Sequence, residues 1–344
     1  MSTKRPPLGK FGRERLENRV FPYLGRAREA GIESGFGSDF NTVELDEELV
    51  LVVSTDPLAA SPQLGWHRSG RLALHVITAD VAVSGVPPSY LLTNWNLPPT
   101  TSDETFEKIW KGFTGEADRA NVTVIGGHTG RYEGSSFPTI GAGTAFGLGR
   151  KEELLPDNPS PGDKIYLLDR LGLEAAAIFS FYYPEKLSNR ALSSAVKGVK
   201  KKFDDLKPTT DLNWITSLPG VVSLHDIAEG GLLGGLQEML SGENYGALIK
   251  KPCIEVDREV ASICRRLDLD PLKITSIGSG VALVSKDKED QFRQEIEREN
   301  LPIGKIGKIT AGGKFLIETN KGVNAISEPI QDEFWARLSE FATK

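Results

Sequence analysis

Apolar residues crowd into short β-branched runs in some stretches of this chain and recur at helical spacing in others, and these two patterns predict its elements. The run Glu48 to Ser54 predicts a buried strand that ends just before Asp56. From Trp66 to Val83, Leu72, Val76, Ala79 and Val83 share one helical face, and Gly85, Pro87 and Pro88 stop the helix. Leu91 to Leu97 reads as a strand. Thr101-Ser102-Asp103-Glu104 is a capping pattern opening a helix through Ala120. Its stripe of Phe106, Ile109, Trp110, Phe113 and Ala117 reads as core rather than a cofactor box. Val122 to Ile125 predicts a short strand running into a Gly126-Gly127 turn, and Phe137 to Leu148 a glycine-rich closing strand. Ahead of all these, Arg13 to Leu24 predicts a helix.

Three prolines, two aspartates, Asn158, Ser160 and Gly162 between Pro156 and Asp163 mark the best boundary in the chain. Beyond it, strands are expected at Lys164 to Leu168, Val221 to Leu224, Ala247 to Lys250, Val281 to Ser285, Gly304 to Ile309 and Lys314 to Glu318. Helices are expected near Glu174 to Phe181, Arg190 to Lys201, from Leu232, Val256 to Leu267 and Glu289 to Glu299. This divides the chain into a basic segment (1–35), a first domain (36–155), a second domain (163–320) and a helical tail (321–344), with no internal repeat.

With 344 residues, 39% hydrophobic and 26% charged, the chain has room for two cored domains. A net charge of −6 argues against general nucleic-acid binding. Lys4, Arg5, Lys10, Arg13, Arg15, Arg19, Arg26 and Arg28 make the start basic, as a solvated arm or as a flap over an anionic ligand. Cys253 and Cys264 form neither a zinc pattern nor a disulfide framework and read as small core residues. No apolar run approaches a membrane span and the start lacks a signal-peptide core, so a cytoplasmic protein with no membrane partner is expected.

Four segments deliver a carboxylate or glycines to the ends of hydrophobic runs: Gly37-Ser38-Asp39-Phe40-Asn41, Ser54-Thr55-Asp56, Thr78-Ala79-Asp80 and Gly126-Gly127-His128-Thr129. Gathered acids of this kind suit Mg²⁺ against a polyphosphate. Asp80 lies in a strongly apolar helical stretch, so it faces outward or is compensated, by a metal ion or by Arg68 or Arg71. Glycines at 126 and 127 suit either an anion-binding nest or a tight turn, and His128 alone fits a structural histidine as well as a catalyst. In His225-Asp226-Ile227-Ala228-Glu229-Gly230-Gly231-Leu232 a strand ends on Asp226 and a helix starts after two glycines, which suits phosphate or an ordinary connection. There is no Gly-x-x-x-x-Gly-Lys-Ser/Thr, no dinucleotide fingerprint and no Gly-x-Ser-x-Gly.

In this order the motifs resemble the aminoimidazole ribonucleotide synthetase-related superfamily, which includes PurM, PurL, HypE, thiamine-monophosphate kinase and selenophosphate synthetase. The resemblance runs from about Gly9 to Glu318. It is carried by residues 37–41, 54–56, Ala-Asp-Val-Ala-Val-Ser-Gly-Val-Pro-Pro (79–88), Ile-Gly-Gly-His-Thr (125–129), Asp-Ile-Ala-Glu-Gly-Gly-Leu (226–232), Leu-Asp-Pro-Leu (269–272) and Gly-Ser-Gly (278–280). It implies a two-domain PurM-like α+β fold: an N-terminal mixed-sheet domain that dimerises through its sheet, and a C-terminal α/β sandwich. The expected activity is ATP- and Mg²⁺-dependent phosphorylation of an amide-like oxygen on a small-molecule substrate.

Carried over from the resemblance, Asp39, Asp56 and Asp80 hold Mg²⁺. Lys10, Asn41, Gly126, Gly127, Thr129, Gly230 and Gly231 contact ATP, while His128 and Asp226 do the chemistry. The alternatives are a small-molecule kinase resembling thiamine-monophosphate kinase and a nucleotide-binding regulatory homologue without turnover. With no cysteine after Cys264, the carbamoyl-accepting tail of HypE is not matched; Ser38-Asp39 stands where thiamine-phosphate kinases pair two aspartates, and His128 where several branches keep an acid. Pro62, Gln63, Trp66 and His67 are the candidate substrate surface, or simply an exposed turn.

Overall fold

Two sheets organise the chain in the computed structural model, which describes residues 10–24, 37–169, 171–242, 244–299, 301–326 and 330–342. The first comprises β1 (Asn41–Glu44), β2 (Leu49–Ala59), β3 (Tyr90–Leu97), β4 (Thr123–Arg131) and β5 (Thr139–Arg150), in the order β1-β2-β5-β3-β4. Only β3 and β4 run parallel. The second comprises β6 (Lys164–Leu168), β7 (Val221–Asp226), β8 (Tyr245–Lys250), β9 (Gly280–Val284), β10 (Ile303–Ala311), β11 (Phe315–Thr319) and β12 (Gly322–Ala325), in the order β12-β11-β8-β10-β6-β9-β7. The helices are α1 (Arg13–Arg19), α2 (Trp66–Ala82), α3 (Asp103–Arg119), α4 (Leu173–Tyr182), α5 (Ser193–Asp204), α6 (Asn213–Thr216), α7 (Gly231–Met239), α8 (Arg258–Leu267), α9 (Glu289–Arg298) and α10 (Glu333–Ala342). This mixed α/β architecture with two sheets is the fold class the motifs implied.

Helices α2 and α3 cover one face of the first sheet. Ser102 caps α3 by accepting from the Thr105 N–H, and Ile109, Phe113 and Ala117 are buried against Trp95 and the sheet. Burial of each large side chain contributes about 1.5–3 kcal/mol. Two glycines let the helices touch backbone to backbone. A Cβ on Gly70 would lie 2.0 Å from the Ile109 carbonyl oxygen, and one on Gly112 2.0 Å from that of His67.

Helix α2 has two buried faces where one was expected. Leu74, Ile77 and Val81 enter the first core, whereas Leu72 and Val83 pack against residues of the second half, including Val199 and Tyr166. A polar network adds to this tie. Buried Glu116 accepts from Arg71 at 2.8 Å and Arg119 at 2.9 Å, and lies 3.2 Å from His75 Nε2. Arg71 also donates to the Asp204 carbonyl at 2.8 Å, and the Thr209 N–H donates to His75 Nδ1 at 3.2 Å.

Several elements depart from expectation for physical reasons. The first helix stops at Arg19, because Pro22 turns the chain into a 3₁₀ segment over Phe21–Tyr23. Strand β2 continues to Ala59, so Asp56 lies inside it rather than at its end. Pro57 is accommodated beside a register shift in the pairing with β5. Strand β4 runs through Gly126-Gly127 to Arg131, so these glycines are not a turn. Gly127 is needed because a Cβ there would lie 1.9 Å from the Thr93 carbonyl oxygen of the parallel neighbour. Cys264 is buried, but Cys253 is exposed in the 3₁₀ turn closing β8. The stretch expected to be a helical tail begins with β12, and its helix starts at Glu333. The basic positions Lys4, Arg5, Arg26 and Arg28 lie outside the described residues. No helix among the described residues is long and apolar enough to cross a membrane.

Candidate active site

Carboxylates from both halves of the chain converge beside the end of α2. Asp39 lies two residues before the start of β1, Asp56 points from β2 toward the helix-covered side, Asp80 sits in the last turn of α2, and Asp226 is the last residue of β7. They are close enough to perturb one another. Burial, then Asp56, Asp226 and Asp39, hold the Asp80 carboxyl well above the ordinary aspartate range. Burial, then Asp39, pushes Asp226 up to about 7. Burial raises Asp56 while the Asp80 carboxyl within hydrogen-bonding reach opposes it, so the pair favours sharing a proton.

Four residues complete this centre. Lys10 donates through its backbone N–H to Glu229 at 2.6 Å and through Nζ to Glu238 on α7 at 2.9 Å. Burial acts to lower the Lys10 pKa, but Glu238, Asp39 and Asp80 more than offset it. The buried ring of His225 lies with Nε2 3.0 Å from Asp39 Oδ1 and 3.6 Å from Glu238 Oε2. Burial opposes its charging, yet Asp39 and Glu238 raise its pKa well above the usual value. Asp39, Asp56, Asp80, Asp226, Glu229 and Glu238 thus face two cations, Lys10 and His225, among the described residues.

This arrangement fits a hard divalent cation. Asp56 Oδ2 is buried without a hydrogen-bond partner, and the surrounding donors are carboxylate oxygens. The two arginines considered as counter-charges for Asp80 are engaged elsewhere, Arg68 with Asp204 and Arg71 with Glu116.

The structure gathers Lys10, Asp39, Asp56, Asp80 and Asp226, with Asn41 two residues beyond Asp39 in β1. It does not bring Gly126, Gly127, His128 and Thr129 to them within one chain. Strand β4 lies three strands beyond β2, roughly 14 Å at ordinary strand spacing. The side chain of His128, opposite Asn94, points to the uncovered face of the sheet, where Nε2 meets the Tyr132 hydroxyl. The N–H groups of Gly230 and Gly231 are also committed, to Asp332 Oδ2 at 2.7 Å and the Ala228 carbonyl at 3.1 Å. Trp66 packs on Phe137 with ring centroids 4.9 Å apart, so only His67 of that pair is exposed.

His225, Glu229 and Glu238 were not foreseen. The first two flank Asp226 within its own motif, which was a usable signal. Glu238 carried none, because only the fold turns that face of α7 toward Asp39.

Comparison with known proteins identifies the family and the fold. The model for the N-terminal domain of AIR synthase related protein matches residues 37–148, and that for its C-terminal domain residues 160–319. A hydrogenase expression/formation protein of Methanocaldococcus jannaschii is 30% identical over 270 residues, covering 76% of this chain and 77% of its own. The chain belongs to the AIR synthase related family. Carbamoyl dehydratase HypE of Cupriavidus necator is 26% identical over 280 residues, covering 78% of this family member and 75% of its own length. A solved structure of the hydrogenase maturation protein HypE in complex with ATP shares the fold, with TM-score 0.64 and 18% identity over 94% of this chain and 93% of that one.

Proposed function

We propose that this family member is a cytoplasmic, ATP- and Mg²⁺-dependent homodimeric enzyme that phosphorylates an amide-like oxygen of a small substrate for synthase- or ligase-type chemistry. The observation carrying this reading is the convergence of Asp39, Asp56, Asp80 and Asp226 from separate elements, the last buried and the others half-buried, and short of counter-charge. A fold gains nothing in stability from such repulsion, and perturbed acids of this kind cluster at functional sites. HypE relatives at 24–27% identity are named carbamoyl dehydratases, and a HypE structure holds ATP, which supports the nucleotide.

Asp39, Asp56 and Asp80 would hold Mg²⁺, which when bound neutralises and orients the transferring phosphates. Asp226, with its carboxyl pushed up to about 7, is suited to hold or accept a proton near neutrality. Lys10 is placed to exchange Glu238 for a phosphate oxygen. The glycines at 230 and 231 contact a phosphate only if Asp332 releases the Gly230 N–H.

Tyr90, Leu92 and Leu148 are exposed on the uncovered face of the first sheet, an apolar surface suited to a second copy of the chain. His128 shares that face, so it enters the site only across a dimer. Calorimetry with ATP and Mg²⁺, followed by product analysis with amides and with thiamine phosphate, tests the assignment. Nucleotide binding that is abolished by Asp56→Asn supports it. ATP binding unaffected by Asp56→Asn, or none at all, counts against both ligase and kinase, and binding without product across the panel favours the regulatory alternative.

A further inference from the structure

We propose that Glu174, in the first turn of α4, is a positioning residue for the candidate site: it clamps the 275–279 turn, and that turn fixes the end of β7 where Asp226 lies. The proposal rests on the preceding reading only in taking Asp226 as a working group of an ATP-dependent site.

Three consecutive residues of the turn are tied to the start of α4. The Thr275 hydroxyl donates to Glu174 Oε2 at 2.6 Å, and the Ile277 N–H donates to the same oxygen at 2.9 Å. Between them, Ser276 Oγ accepts from the Gly172 N–H at 2.5 Å. The turn in turn brackets the residue after Asp226. The Ser276 N–H donates to the Ile227 carbonyl at 2.9 Å, and the Ile227 N–H donates to the Ser279 carbonyl at 3.1 Å. Asp226 itself pairs with Gly280, the next residue along. On the far side α7 backs the segment: a Cβ on Gly231 would lie 2.6 Å from the Ile274 nitrogen and 2.7 Å from the Leu272 carbonyl oxygen.

A carboxyl is a costly group for this task. Glu174 is 7% exposed, its two bonds come from uncharged donors, and burial raises its pKa against them. Asp332 and Glu229 raise it further. Asp226 needs a firm hold, because Asp39 and Asp56 repel it. Groups at a reacting centre keep their geometry through hydrogen-bonded neighbours one layer out, and the chain from Glu174 through Ile277 and Ile227 supplies that layer.

Amide hydrogen exchange of the full chain without nucleotide, followed at Ile227 and Ile277, tests the clamp. Glu174→Ala should speed exchange at both at least about 10-fold while leaving β11 and β12, at the other edge of the sheet, unchanged. Glu174→Gln, whose amide oxygen can accept both bonds, should restore slow exchange. Thr275→Val keeps the shape and loses one donor, so it should speed exchange at Ile277 by a smaller factor; it carries the test where Glu174→Ala does not fold. With ATP and Mg²⁺, Glu174→Ala should lower kcat about 10²-fold with KM for ATP nearly unchanged, and Glu174→Gln should recover it. Unchanged exchange at Ile227 and Ile277, loosening that spreads to β11 and β12, no recovery in Glu174→Gln, or faster exchange with unchanged kcat overturns the proposal. Faster exchange in a chain that turns over no ATP retains the clamp and removes the enzymatic reading, whereas turnover with unchanged exchange does the reverse.

Discussion

Helix α2 takes part in two buried carboxylate sites with opposite electrostatics. Through Arg71 and His75 it meets Glu116, and two turns later it contributes Asp80. Burial acts to raise both acids. At Glu116, a hydrogen bond from His75, which burial holds neutral, and the charge of Arg71 overcome burial and hold the pKa at about 2; at Asp80 the neighbours are further acids, and the pKa rises. Glu116 is buried and Asp80 half-buried, and burial pushes both carboxyls the same way, so burial alone does not distinguish a structural acid from a candidate functional one. Counter-charge does.

The contrast is most exposed to failure in stability. Glu116→Ala leaves Arg71 and His75 without their acid and should cost about 3–5 kcal/mol in denaturant melts. Asp80→Asn should instead leave the metal-free protein as stable or raise its midpoint, because it removes mutual repulsion. A loss of similar size in both variants would end the distinction. Activity should separate them the other way: Asp56→Asn and Asp80→Asn are expected to lower ATP turnover about 10²–10³-fold, while folded Glu116→Gln retains turnover.

Ligand and pH dependence refine the comparison. Mg²⁺ with ATP at about 100 times Kd should stabilise the wild type by about 2.7 kcal/mol and Asp56→Asn hardly at all, as read by thermal shift. The Glu116 pKa is depressed from 4.5 to about 2, so its contribution is fully present above pH 4.5 and is lost as pH falls toward about 2. Melts across that window should show the wild type losing more stability than Glu116→Gln. Smallest of all, Arg119→Ala should cost only about 0–1 kcal/mol, since half of the Arg119 side chain is in water.

Much of the fold was legible where the period was strong. The stripe of α3, the strand Lys164–Leu168 and the helix beginning at Glu289 match expectation closely. Strand β1 (Asn-Thr-Val-Glu) and strand β12 (Gly-Val-Asn-Ala) are too short and polar to carry a period, and both exist only by pairing with a neighbour. The 126–127 glycines suggested a stop because their local preference is for turns, and sheet pairing overrode it, as it also carried β2 past Asp56. At the site, motif order identified the aspartates, but the sequence could not show on which face of the sheet His128 would fall. That depends on where β4 lies among its neighbours. Glu238 reaches the centre through the docking of one helix face, a relation between distant segments.

The double burial of α2 bears on how the protein could be divided. A fragment ending at residue 155 would carry a complete five-stranded sheet, yet Leu72 and Val83 would face water, and Arg71 and His75 would lose their contacts at Asp204 and Thr209. Two sheets therefore do not make two exchangeable modules. A recombination junction placed in the apparent linker would cut through one cooperative unit, with α2 as its shared wall.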